Sequence, residues 1–160
     1  MRNPLQAGAE GRDVAMAEEL LSREFRVRGR DFDKAGETST EIKSILKNLE
    51  IDPGLIRKAV VVTFEAEMNV VMYANEGKIT FTLTDEDICI EVADQGPGIP
   101  DIGLAMQEGY STATDEMREM GFGFGMGLPN IKKNSDSFKL VSEVGKGTTL
   151  TSRIRLDSHG

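Results

Sequence analysis

Ile42, Ile45, Leu46 and Leu49 recur at i, i+3, i+4 and i+7, the spacing that lines one face of a helix. Thr38 followed by Glu41 has capping-box spacing, so a helix is predicted from there to Asn48–Glu50. Asp52-Pro53 reads as an N-cap followed by proline at the first helical position, where the missing N–H costs nothing. A second helix is predicted from there to about Ala74. Its Val60-Val61-Val62-Thr63 run has strand propensity, but the start signal and a length of about 20 residues decide for helix. Residues 78–84 alternate apolar and polar as a half-buried strand does, and 88–93 form another strand after the Asp85-Glu86-Asp87 turn. These two make a hairpin. Ser137–Ser142 and Thr148–Leu156 make a second one around residues 143–147. A first strand is predicted over Glu24–Asp33, around Phe25, Val27 and Phe32. Short helices are predicted over Asp101–Glu108 and Met126–Asn134, a stiff Gly/Pro loop over 94–100, and a polar, glycine-rich loop over 109–125.

The order is strand, two helices, hairpin, loop, helix, hairpin. It predicts an α+β fold, a two-layer sandwich with a mixed, mostly antiparallel sheet and helices on one face. Residues 1–18 are small, polar and weakly periodic. The expectation is a flexible tail over 1–20 and a single domain over 21–157.

Composition narrows the chemistry. A chain of 160 residues is one domain's worth, and 39% hydrophobic with 29% charged residues excludes a disordered chain or a disulfide scaffold. Cys89 is the one cysteine and His159 the one histidine. That argues against a Cys/His zinc site, and a Ser-His-Asp or Cys-His centre would need a residue from the tail. The net charge, 19 − 27 = −8, argues against direct nucleic-acid binding. No apolar run approaches the ~20 residues of a membrane span, and the N-terminus lacks a signal-peptide core. The expectation is a cytoplasmic protein with no membrane partner.

Glycine is the strongest signal. There are 17, against about 11 at average usage. They cluster at Gly96/Gly98, at Gly121/Gly123/Gly125/Gly127 and at Gly145/Gly147. Neither G-x-x-x-x-G-K-[ST] nor G-x-G-x-x-G occurs, so the P-loop, Rossmann and protein-kinase glycine loops are poor fits. Glu65 and Asn69, at i and i+4 on the long helix, share a face. A carboxylate there suits a general base, and an amide oxygen suits Mg²⁺. Asp94, at a strand end, suits an acceptor for an exocyclic amine or, taken alone, a turn-initiating residue.

Taken in order, four motifs stand along the chain: Glu65-x-x-x-Asn69, Asp94-x-Gly96-x-Gly98-Ile99, Gly121-x-Gly123-x-Gly125-x-Gly127-Leu128 and Gly145-Lys146-Gly147-Thr148. This series resembles the ATP-binding signature of the gyrase, heat-shock-chaperone, histidine-kinase and mismatch-repair ATPase superfamily. Over residues 24–156, with Ser111-Thr112 after Gly109-Tyr110, the chain is most similar to the bacterial anti-sigma-factor serine/threonine kinases that act as partner switches. The resemblance implies a Bergerat-type fold, ATP and Mg²⁺ as cofactors, and phosphorylation of a small anti-anti-sigma-type antagonist protein. A sigma factor, phosphatase or scaffold is implied as a further partner.

It also implies roles. Glu65 is the base for the attacking hydroxyl, and Asn69 holds Mg²⁺. Asp94 accepts from the adenine amine, with Thr148 assisting. Gly96 and Gly98, followed by Ile99, turn the chain beside the nucleotide, and Gly121 to Gly127, followed by Leu128, form a lid over the phosphates. Lys132 and Lys133 either reach phosphate or partner, or form a solvated helix end. Two departures stand out. Phe122, Phe124 and Met126 fill the lid positions where smaller residues are usual; they suit packing, partner docking or a homodimer contact. Tyr73 stands where many relatives carry histidine. Two other readings remain open on residues alone. One is a non-catalytic ATP-dependent switch module. The other is a detached histidine-kinase-type catalytic domain, for which the chain lacks an internal acceptor helix.

Overall fold

In a computed structural model of the chain, residues 17–110 and 127–157 are described. Strand β1 runs Glu19–Arg28 and is followed by a 3-10 turn at Phe32–Lys34. Helices α1 (Glu37–Asn48) and α2 (Pro53–Tyr73) come next, then the hairpin β2 (Glu76–Thr84) and β3 (Asp87–Gln95). Two short helices follow, α3 (Ile102–Ala105) and α4 (Gly127–Lys133). The hairpin β4 (Ser137–Glu143) and β5 (Gly147–Arg155) closes the fold. The five strands lie in the order β1-β2-β3-β5-β4, and every pair among the described strands is antiparallel. The glycine pattern at 121–125, Ser111-Thr112, the apolar residues 122, 124 and 126, the tail 1–16 and His159 lie outside the described residues.

The period-2 alternation sets which face is covered. Ile79, Phe81 and Leu83 of β2, Ile88, Ile90 and Val92 of β3, and Leu150 and Ile154 of β5 are buried. They form one core with Ile42 and Leu46 of α1, Ile131 of α4, and Ala59, Val62, Ala66 and Val70 of α2. The intervening residues, such as Lys78, Thr80, Glu91 and Arg153, are exposed or half-exposed on the other face. A row of side chains spaced by two on β3 therefore ends, beyond Val92, at Asp94 on the helix side of the sheet.

Helix α2 is the spine, about 31 Å long at 1.5 Å per residue. It starts as its sequence predicts, with the Asp52 carboxylate accepting from the Gly54 amide at 3.0 Å and Pro53 opening the first turn. The β-branched run inside it is helical. Val62 and Thr63 are fully buried, and the Thr63 hydroxyl donates back to the Ala59 carbonyl at 2.8 Å, so its polar group is satisfied within the helix. Packing overrides propensity there.

The start of α1 differs from expectation. Its N-cap is Gly36, at φ 99°, with no capping side chain, and the Thr38–Glu41 box does not form. Thr38 lies inside the first turn and is buried. The helix-start amides go instead to the Glu67 carboxylate of α2. It accepts from the amides of Gly36 at 3.0 Å, Thr38 at 3.2 Å and Ser39 at 3.3 Å. An acidic group facing a helix N-terminus is electrostatically favourable, and here it comes from another helix. Burial pushes the Glu67 carboxyl up from its ordinary value, while the three amides pull it back in part.

Strand β1 also departs from its predicted limits. It begins at Glu19 and pairs along β2 from Glu19↔Thr84 to Arg28↔Glu76. It ends five residues before Asp33 because the chain turns onto the end of α2. The Gly29 amide donates to Asn75 at 2.9 Å and the Arg30 amide to the Val71 carbonyl at 2.7 Å. Arg30 sits at φ 66° and its guanidinium donates to the Met72 carbonyl, placing a cation at the C-terminus of α2.

Candidate functional site

Two clusters flank the C-terminal half of α2. The first lies where α4 meets α2. Glu65 and Asn69 are partly exposed on one face of α2, while Ala66 and Val70 beside them are core. Gly127 opens α4 directly opposite. A Cβ placed there would lie 3.4 Å from both Glu65 Oε1 and Asn69 Oδ1. Two side-chain oxygens thus converge beside the first residue of α4. Asn130, one turn further on, donates from Nδ2 to Glu65 Oε2 at 3.1 Å. Pro129 and Ile131 are buried on either side of it and hold α4 down. Sequence reasoning missed Asn130, because its partner lies 65 positions away and no local spacing links them.

The second cluster is a polar row across three strands. Asp94 pairs with Thr148, and Thr148 with Ser142. All three belong to the helix side of the sheet by alternation. The Thr148 amide donates to Asp94 Oδ1 at 3.2 Å. The Thr148 and Ser142 hydroxyls are 2.9 Å apart, and Ser142 also donates to the Gly147 carbonyl at 3.2 Å. The Ile99 amide donates to Ser142 Oγ at 2.7 Å, which fastens the loop after β3 to β4. Burial pushes the Asp94 carboxyl up from its ordinary value, and the Thr148 amide opposes this. Ser142 was not singled out in the sequence, where it is one more serine at a strand end.

Two glycines permit this row. Gly98 has φ 79°, and a Cβ on it would lie 2.5 Å from the Glu143 carbonyl oxygen. Gly147 has φ 145°, and a Cβ on it would lie 2.1 Å from the Asp94 carbonyl oxygen. Any other residue at either position forces backbone apart.

The two clusters are neighbours. A Cβ on Gly96 would lie 3.1 Å from the Ala74 Cα and 3.2 Å from Asp94 Oδ1. Ala74 follows Asn69 by five residues, or roughly 8 Å along the axis. The arrangement therefore offers hydrogen-bonding groups at one end and converging hard oxygens at the other. Leu128 is partly buried, and its side chain packs against the hydrophobic core. Lys133 bonds Glu108 at 2.8 Å on the surface, joining α4 to the segment after α3. Among the described residues, no three His, Cys, Asp or Glu side chains are grouped to hold a metal on their own.

This fold and site define a class. A family model described as histidine kinase-, DNA gyrase B-, and HSP90-like ATPase matches residues 55–158, and the chain belongs to that family. Membership implies ATP binding. The match begins inside α2, so β1 and α1 lie outside it.

Within the family, the similarity is to a serine/threonine-protein kinase and to anti-sigma F factors. The serine/threonine-protein kinase RsbT of Bacillus subtilis is 35% identical over 107 residues, covering 63% of this chain and 74% of the relative. An anti-sigma F factor of Clostridium acetobutylicum is 33% identical over 108 residues, covering 63% and 72%. One from Caldanaerobacter subterraneus is 36% identical over 89 residues, covering 52% and 59%. Among solved structures, the RsbU and RsbW domains of Rv1364c from Mycobacterium tuberculosis align with a TM-score of 0.57 at 14% identity. That alignment covers 85% of this chain and 32% of the other, and it shows the shared fold alone. Among the described residues no helix is long and apolar enough to cross a membrane.

Proposed function

We propose that this chain is an ATP-dependent serine/threonine protein kinase of the anti-sigma, partner-switching kind, and that its substrate is a small antagonist protein. The observation that carries this reading is that the two clusters lie beside one helix. Glu65 and Asn69 stand together beside Gly127, and the Asp94–Thr148–Ser142 row lies next to the end of the same helix.

In this reading Asp94 accepts from the adenine amino group, with Thr148 beside it. Gly96, Gly98 and Ile99 shape the adenine end, and Gly121, Gly123, Gly125 and Gly127 close over the phosphates. Asn69 offers its amide oxygen to Mg²⁺. That ion needs few protein ligands, because phosphates and waters complete its shell. The site fits it, since Asn69 Oδ1 is a hard oxygen turned to the space beside Gly127. When bound, the ion would neutralise phosphate charge. The chain's own chemistry is proton handling. The substrate hydroxyl oxygen bonds to the γ-phosphorus as the bond to the bridging oxygen of ADP breaks, and Glu65 takes the hydroxyl proton.

The kinase occupies a single domain over 21–157, which β1 extends by two residues at its start. A cytoplasmic location fits this role, as do a sigma factor, phosphatase or scaffold as second partner and a homodimer as the working form. The test is transfer from γ-labelled ATP with Mg²⁺ to antagonist proteins encoded beside this gene, in parallel with Glu65→Ala. The expected result is label on a serine or threonine that disappears in the variant. ATP binding with no transfer to any acceptor would overturn the kinase reading in favour of a non-catalytic switch.

A further inference from the structure

Glu65 has two carboxylate oxygens, and the structure gives them different surroundings. Oε1 lies toward Gly127, in the same space as Asn69 Oδ1. Oε2 accepts the hydrogen bond from Asn130 Nδ2 at 3.1 Å. A glutamate on a helix has three side-chain torsions, and an exposed one samples many rotamers. One hydrogen bond from a fixed donor removes most of that freedom. Asn130 is such a donor. It belongs to α4, which the buried Pro129 and Ile131 anchor. Its own backbone carbonyl accepts from both the amide and the side chain of Asn134, at 3.2 and 2.8 Å, which stiffens the turn that carries it.

The chemical type of the donor matters as much as its place. A lysine or arginine here would hold the carboxylate but, as an opposite charge, would also make it a weaker base. A neutral amide fixes the geometry without adding an opposite charge. We propose that Asn130 is the positioning residue for the base of the phosphoryl-transfer reaction. It holds Glu65 by Oε2, so that Oε1 is the oxygen presented to the attacking hydroxyl. The inference rests on the assignment of Glu65 as that base.

A bond of this kind between two helices could equally serve packing alone, so the test must separate orientation from stability. Asn130→Ala removes the donor, and Asn130→Asp keeps the shape while removing the donor. Both are compared with the unaltered protein and with Glu65→Ala, using γ-labelled ATP, Mg²⁺ and the acceptor protein whose labelling depends on Glu65. The expected result is a fall in kcat of about tenfold to a hundredfold in both variants, the scale for a misplaced catalytic group. The KM for ATP should stay within about twofold, because the partner of Asn130 is the base and not the nucleotide. Melting temperatures should show both variants folded. Unchanged kcat in either variant overturns the inference while leaving Glu65 as base. So does a loss of kcat that merely tracks a loss of melting temperature or of ATP affinity. Full transfer by Glu65→Ala, or no Glu65-dependent transfer at all, overturns the base assignment and the inference together.

Discussion

Glu67 offers the sharpest test of the physical account of this fold. It sits two residues from Glu65 but points the other way, into the α1–α2 contact, where it is only 2% exposed. Its carboxylate is the acceptor for three amides at the start of α1. Glu67→Ala leaves those amides without a partner. Thr38 and Ser39 are 6% and 4% exposed, so water has little access to replace the carboxylate there. Each buried amide left unsatisfied costs about 1–3 kcal/mol. Loss of the negative charge at a helix N-terminus adds about 0.3–1 kcal/mol. For the two buried amides, with the charge included, a total of about 2–7 kcal/mol follows, a large part of the roughly 5–15 kcal/mol that holds a domain together.

Glu67→Met separates the causes. It refills the volume with an apolar chain but gives the amides nothing to donate to. It should therefore remain within about 1 kcal/mol of Glu67→Ala if unsatisfied donors carry most of the loss, since volume-conserving changes are otherwise well tolerated. The assay is urea unfolding followed by circular dichroism, with the slope checked for constancy. A loss below about 1 kcal/mol in Glu67→Ala, or stability restored in Glu67→Met, would refute the reasoning.

Other expectations concern the site and its supports. Asp94→Asn should weaken ATP binding by about tenfold or more, the worth of a hydrogen bond to a charged group, as measured by calorimetry. Its folded-state pKa is raised, so the native protein holds that proton more tightly than the unfolded chain does. The stability Asp94 contributes is therefore present below its ordinary pKa and lost as pH rises through the folded value. Asp94→Asn should melt no lower than the unaltered protein at neutral pH, whereas ATP affinity of the unaltered protein should fall as acidification protonates Asp94. Gly147→Ala should lose about 1–3 kcal/mol for its backbone conformation alone, and more for the collision with the Asp94 carbonyl, read from thermal melting. Arg30→Ala should lower stability by about 1–2 kcal/mol by uncapping α2, measured in the same way.

What could be read from the chain was whatever local spacing encodes. The Asp52-Pro53 start, the alternation of β2 and β3, and the shared face of Glu65 and Asn69 all depend on neighbours within a few positions, and the structure places them as expected. Asp94 is legible from its place at a strand end, just before the Gly96 and Gly98 loop. Three features were out of reach for one reason. Glu67 meets α1 across 28 to 31 positions, Ser142 meets Ile99 across 43, and Asn130 meets Glu65 across 65. Such pairings exist only once the layers have packed. The Thr38–Glu41 spacing failed for a related reason. In such a box Glu41 would accept from the Thr38 amide, and the buried Glu67 carboxylate takes that amide instead. The end of β1 was set by the turn at Arg30 onto α2 rather than by anything in its own alternation.

Helix α2 carries Glu65 and Asn69 on one face and also supplies Ala59, Val62, Ala66, Val70 and Val71 to the core. An axial step or rotation of this helix would drag five buried side chains through close-packed surroundings and break both the Arg30 and the Glu67 attachments. The helix is thus a fixed reference. Any conformational response to nucleotide has to be made by described parts that surround it, such as the turns after β3 and helix α4. A nucleotide-dependent change is then written on the rim of the site, while its floor stays the same in every state.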